Sequence, residues 1–157
     1  MKLIGVIFTG IALSISLYSF FFQVDPAEEY NRMMKVSGKE ITHFSGELLA
    51  SLGKVSKTTG EKLNKYLKTQ HDRAKAALKK HNTFKTKLKD LQKMHKKLGE
   101  FLALNLKVYK PMKKTRKNLQ GLINLSYMLK LNKHTKEINN KFEEFLKLKK
   151  AYMKRHG

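Results

Sequence analysis

Between Leu63 and Tyr109 the chain carries an uncharged stripe in four-three alternation: Leu63, Leu67, Gln70, Ala74, Ala77, His81, Phe84, Leu88, Leu91, His95, Leu98, Leu102, Asn105 and Tyr109. Ten of these 14 positions are apolar or aromatic, and none is Lys or Arg, although residues 62–110 hold 15 cations. Random placement rarely leaves such a seam clear. Positions three and four apart share one side of an α-helix, so the stripe predicts an amphipathic helix that other helices must cover. The stretch has no Pro or Gly before Gly99 and no Pro before Pro111. Taken as one element it approaches about 70 Å at the usual helical rise. That length is awkward for a compact domain of this size, so a bend near Gly99 or a division into two helices fits the pattern too.

The flanks are also helical. Asp25-Pro26-Ala27-Glu28 has the residues of a capping box with Pro at the first helical position. It opens a helix expected to end near Lys35–Ser37. Ser37-Gly38-Lys39-Glu40 repeats the signature ahead of Ile41, Phe44, Leu48, Leu52 and Val55, and Thr58-Thr59-Gly60-Glu61 repeats it again. Pro111 breaks the central helix, because it lacks an amide donor and clashes with the preceding turn. Met112–Leu131 then presents a wide apolar face, Asn132-Lys133-His134-Thr135 reads as a polar interruption, and a last helix runs from about Thr135 to Arg155. Ile138, Phe142, Phe145, Leu148 and Tyr152 line one side of it. No segment keeps the period-two alternation of a strand. The expected fold is all-α, an up-and-down bundle of about four to five helices with one long central amphipathic helix, in a single domain over residues 25–157.

Residues 1–22 are apolar apart from Lys2. Leu3–Leu13 followed by Ser14-Ile15-Ser16 has the form of a signal peptide, residues 1–16, cleaved after Ser16. The alternative is an uncleaved signal anchor over residues 3–22, 20 apolar-rich residues that suffice to span a bilayer. Both put the basic domain outside the membrane, and cleavage leaves an exposed Leu-Tyr-Ser-Phe-Phe-Phe segment at the new terminus.

Catalytic and metal chemistry find little support. The chain has no Cys, which excludes disulfides, thiolate metal sites and a thiol nucleophile. Its six His residues, at 43, 71, 81, 95, 134 and 156, include no pair three or four apart, so no metal site is built on one helix. Carboxylates in the basic half are scattered among lysines, and the one adjacent pair, Glu143-Glu144, reads as part of surface ion pairs. No phosphate-cradling loop or nucleophile–base arrangement is present. The expectation is a non-enzyme without cofactor or metal. His81 and His95, two heptads apart on the stripe, read as interface histidines that acidification would charge, loosening the bundle.

The cations carry the remaining signal. The formal net charge is +22, and residues 61–157 hold 28 Lys and Arg against 7 Asp and Glu. Candidate polyanion-binding residues are Lys79, Lys80, Lys85, Lys87, Lys89, Lys93, Lys96 and Lys97 on the central segment. Lys113, Lys114, Arg116 and Lys117 follow Pro111, and Lys149, Lys150, Lys154 and Arg155 close the chain. Lys outnumbers Arg 30 to 4. Lys is a hydrated point charge suited to a non-specific grip on phosphate, sulfate or carboxylate, whereas base reading and bidentate recognition favour Arg.

In outline the chain resembles the abalone sperm acrosomal proteins, egg lysin and its fusagenic paralogue. The likeness rests on the MKL leader, one domain of this size, the absence of Cys, high basicity, about five capped helices and apolar or Tyr residues among cationic tracks. It covers the full length as architecture and includes no diagnostic motif. The chain departs from lysin in having no Trp and in preferring Lys to Arg. The resemblance implies a secreted, non-enzymatic bundle held in the acrosomal vesicle, acting stoichiometrically on an egg coat or on membranes in fertilization. No residue role carries over.

The preferred reading is thus a secreted helical protein that binds an acidic extracellular surface, a coat glycoprotein or an anionic membrane, and disrupts or fuses it. The alternative is a membrane-anchored structural or interaction protein whose 63–109 seam forms an intermolecular coiled coil in a homo-oligomer. Nucleic-acid binding ranks third, because it conflicts with an export leader.

Overall fold

The computed structural model describes residues 24–57, 60–111 and 120–156. These form four helices: α1 (Pro26–Lys57), α2 (Gly60–His81), α3 (Lys89–Val108) and α4 (Gln120–His156). Among the described residues there is no strand. Both readings of the leader, and the cluster Lys113, Lys114, Arg116 and Lys117, lie outside the described residues.

Two polar ladders set the helix directions. Arg73 Nε donates to Glu40 (2.7 Å), His43 Nε2 to Gln70 Oε1 (2.8 Å) and Tyr66 Oη to Glu47 (2.7 Å), so α2 descends as α1 rises. Between α3 and α4 the rungs are Asp90 with Arg155 (2.7 Å), Lys97 with Glu144 (2.7 Å), Glu100 with Lys141 (3.1 Å), and the Val108 carbonyl with Tyr127 Oη (3.2 Å). The bundle is closed where Tyr30 of α1 stacks on Tyr152 of α4 at 5.8 Å and Tyr152 Oη donates to the Pro26 carbonyl at 2.6 Å. The architecture is an up-down-up-down four-helix bundle.

Its core uses the stripe as the pattern requires. Twelve of the 14 stripe residues are buried, and Leu88 and His95 are half-buried. Met33 and Phe44 of α1 and Leu131, Ile138, Phe145 and Tyr152 of α4 complete it. Each large apolar side chain fully removed from water contributes about 1.5–3 kcal/mol.

The expected long central helix is two helices. Residues 82–88 turn the chain between α2 and α3 with neither Gly nor Pro. Instead the Thr83 amide and hydroxyl both donate to the Lys80 carbonyl, at 3.1 and 2.7 Å, the Phe84 amide donates to the His81 carbonyl (3.0 Å), and the Leu88 amide donates to Thr86 Oγ1 (3.2 Å). Such short-range bonds compete with the helical ladder. Phe84, buried beneath the turn, keeps the stripe continuous across it. The division falls there and not at Gly99, which lies inside α3.

Two other expected boundaries are absent. α1 runs through Ser37-Gly38-Lys39-Glu40, because Ser37 is buried and its hydroxyl meets His81 Nδ1 at 3.0 Å instead of capping a helix. α4 runs through Asn132–Thr135, where Asn132 and Lys133 are exposed, His134 and Thr135 are half-buried, and Thr135 Oγ1 donates to the Leu131 carbonyl at 2.7 Å. The expected fifth helix is therefore part of α4. At the chain's first cap the Asp25 half of the expected box is present, with Asp25 Oδ1 accepting from the Ala27 amide at 2.9 Å, whereas Glu28 makes no return bond among the described residues.

Candidate functional site

The helix directions gather three separated segments at one end of the bundle: the start of α1, the α2–α3 turn and the last turns of α4. Arg32 of α1 ties the first two, donating to the Lys85 carbonyl at 2.7 Å with its guanidinium 5.1 Å from the centre of the Phe84 ring. Arg155 ties the third to α3 through Asp90, and Tyr152 ties it to α1. Lys79, Lys80, Lys85, Lys87, Lys89 and Lys93 therefore share an end with Lys149, Lys150 and Lys154. None of these nine lysines has an ion pair among the described residues, and all but the half-buried Lys149 are exposed.

Four carboxylates share that end. Asp25 caps α1, Glu29 holds Arg32 at 2.8 Å, and Asp90 holds Arg155, which leaves Glu28 without a partner among the described residues. The end is cationic by a wide margin. Like charges in this number produce a positive potential over about a Debye length, 10 Å at 0.1 M salt.

The remaining candidates fall elsewhere. Lys96 is exposed higher on α3. Lys97 is half-buried in an ion-pair network with Glu144, Glu100 and, through them, Lys141. Its hydrogen bonds to Glu144 and Glu100 raise its pKa, and the bond from Lys97 lowers that of Glu144. Burial pushes Glu100 upward, but the ammonium groups of Lys141 and Lys97 outweigh it and hold the carboxyl below its ordinary range. Lys97 and Arg155 are thus committed to holding α4 on α3, which a reading of charge along the sequence could not detect.

A second cationic group, not singled out by the sequence, lies at the opposite end. Lys130 of α4 donates to the Lys107 carbonyl at 3.2 Å. Burial, then the charges of Lys110 and Lys107, lowers its pKa. Only the fold reveals this cluster, because Lys107 and Lys130 are far apart in the chain.

Inside the bundle the two stripe histidines meet. Their rings stack at 3.7 Å, and each Nε2 lies 3.0 Å from the other's backbone carbonyl. A carbonyl only accepts, so both rings carry the proton on Nε2, and Ser37 donates to the free Nδ1 of His81. Burial first, then the charge of His95, lowers the His81 pKa to about 4, against the opposing effect of the carbonyl bond. Gly99 allows this packing, since a Cβ there would lie 3.1 Å from His81 Nε2.

Among the described residues, no group of three His, Asp or Glu side chains is placed to hold a metal ion. No helix of the described residues is long and apolar enough to cross a membrane. Comparison with family models, curated proteins and solved structures returns no match.

Proposed function

We propose that the chain is a non-enzymatic binding protein that docks on an acidic extracellular surface through the lysine-bearing end of its bundle. The observation that carries this reading is the convergence of nine lysines, without ion-pair partners among the described residues, from α2, the α2–α3 turn, α3 and α4. Diffuse attraction brings the end to a polyanion, and counterion release makes the grip sensitive to salt. No covalent step is involved. The secreted location, and a role in disrupting a coat or membrane as in fertilization, belong to the same proposal. The coiled-coil alternative loses its main support, because α1 and α4 already cover the 63–109 seam within one chain.

The test is retention on an immobilised sulfated polysaccharide under a salt gradient. Lys85→Glu with Lys87→Glu and Lys89→Glu should lower the eluting salt well below that of a control with the same change in charge, Lys62→Glu with Lys65→Glu and Lys68→Glu on the other half of α2. Equal displacement by both triples would mean that net charge, and not this end, does the binding.

A further inference from the structure

The turn that carries Lys85 and Lys87 is anchored on the histidine pair. The His81 carbonyl accepts twice, from the Phe84 amide inside the turn and from Nε2 of His95, both at 3.0 Å. The Phe84 ring packs on His95 at 5.3 Å and meets the Arg32 guanidinium, which in turn holds the Lys85 carbonyl. An unbroken series of contacts thus leads from the docking lysines to two stacked imidazoles. The carboxylates beside these contacts already hold cations. On α1, Glu29 pairs with Arg32, and Glu40 holds Arg73 of α2. On α3, Asp90 is held by Arg155 of α4, and Glu100 by Lys97 and by Lys141 of α4. Lys80 and Lys96 adjoin His81 and His95 in the chain and have no ion pair among the described residues. An imidazolium in the pair would therefore face a surplus of cations.

Resting on the polyanion-docking reading, we infer that the histidine pair makes docking proton-linked: binding of a polyanion to the lysine-bearing end and uptake of a proton by His81 and His95 favour each other. The unmatched lysines set up a positive potential that reaches over about 10 Å at 0.1 M salt and is screened less inside the bundle than in water. That potential, burial and the second ring all oppose an imidazolium. A docked polyanion cancels the first of these, so the pair takes up a proton more readily when the end is occupied. By reciprocity, the protonated protein binds the polyanion more tightly by the same factor. In the free protein burial and the charge of His95 hold His81 down at about 4, which leaves room for upward movement. Docking is therefore firmest in acidic surroundings and relaxes as the pH returns to neutral.

Dextran sulfate is the probe, because its sulfate esters keep their charge throughout the acid range. His156, exposed at the same end beside Tyr152, is replaced by His156→Gln in every protein used. The His81 ring signal is followed by nuclear magnetic resonance from neutrality down through its titration. With dextran sulfate bound, the midpoint should rise by about one pH unit, a coupling of about tenfold. Affinity at pH 5 should then exceed that at neutrality about twofold, and His81→Gln should remove most of the gain. Should that variant unfold, the ring titration of the parent decides alone. Lys85→Glu with Lys87→Glu and Lys89→Glu should abolish the rise of the midpoint on binding, and Lys62→Glu with Lys65→Glu and Lys68→Glu should keep it. Dextran sulfate that binds through this end without moving the midpoint overturns the inference and leaves polyanion docking intact. An equal rise in both triples overturns it as well, since the coupling would not come from this end. Equal loss of dextran sulfate binding in both triples removes the docking reading and the inference with it.

Discussion

His81 and His95 face each other with ring centres 3.7 Å apart, each ring hydrogen-bonded to the other's backbone carbonyl. The pair joins the end of α2 to α3 just above the turn, and the bonds of His81, Nε2 to the His95 carbonyl and Nδ1 to the Ser37 hydroxyl, suit its neutral Nε2–H form. A proton added to Nδ1 of His81 would turn Ser37 from donor to acceptor and place a charge in the core against a second imidazole.

Acid should therefore weaken the fold. The folded pKa of His81, about 4, lies below the unfolded 6.5, so the unfolded chain binds more protons between those values. The stability contribution is complete above pH 6.5, declines as pH falls and has gone by about pH 4, a total of roughly 3 kcal/mol. Urea titrations across this range check it. His81→Gln should lower stability near neutrality by about 1–3 kcal/mol while removing most of the slope. An unchanged slope in that variant would assign the pH dependence to another group.

Glycine substitutions at two helical positions should differ in sign. A Cβ at Gly46 meets nothing within 4 Å, so Gly46→Ala should stabilise by about 0.5–1 kcal/mol through helix propensity. At Gly99 the same gain meets His81 Nε2 at 3.1 Å, and that ring is held between Ser37, His95 and a carbonyl. Gly99→Ala should leave the protein less stable than Gly46→Ala and reduce its pH slope. Equal stabilisation by both would show that the histidine pair gives way easily.

Neighbouring lysines of α3 should separate structure from binding. Lys97 joins Glu144 and Glu100, whereas Lys96 is exposed and has no ion pair among the described residues. Lys97→Ala should lower the thermal midpoint, most clearly at low salt, and Lys96→Ala should leave it unchanged. Lys87→Ala should reduce retention on a polyanion more than Lys97→Ala does. The reverse order would place the docking surface on the α3–α4 face.

One buried polar group is expendable for stability. Asn105 is wholly buried, donates to the Phe101 carbonyl at 2.9 Å, and leaves Oδ1 without a partner. Asn105→Leu removes the unsatisfied oxygen and should raise the unfolding free energy by about 1 kcal/mol. Destabilisation by both Asn105→Leu and Asn105→Ala would count against this account.

The legible part of the fold was periodicity. A stripe that excludes cations over 14 positions records burial directly, because a charged residue at any of them would lose its hydration, and that holds whether the helix is straight or folded back. The turn at Asn82–Leu88 escaped notice for the same reason. Phe84 and Leu88 keep the period while Thr83 and Thr86 divert the backbone, and neither Gly nor Pro marks the site. Ser37 shows the opposite failure, since a residue with the right identity for a cap serves a histidine 44 positions away. Lysine clusters were visible as charge along the chain. Their division into unpaired and ion-paired members depends on which helices are neighbours, as Lys97 and Arg155 show.

The contact that closes the bundle spans 126 residues, from Tyr152 to Pro26, whereas the α1–α2 and α3–α4 ladders join helices adjacent in sequence. Long-range closure carries the larger entropy cost and tends to form after local hairpins. The seam between α1 and α4 is accordingly the first place for the native protein to open, by fraying of the last turn of α4. Amide exchange in the final turn should outpace that across the α3–α4 ladder. Lys154, and Arg155 once its ion pair with Asp90 opens, would then reach outward on a short tether while the remaining rungs of both hairpins stay in place, extending the capture radius of the cationic end.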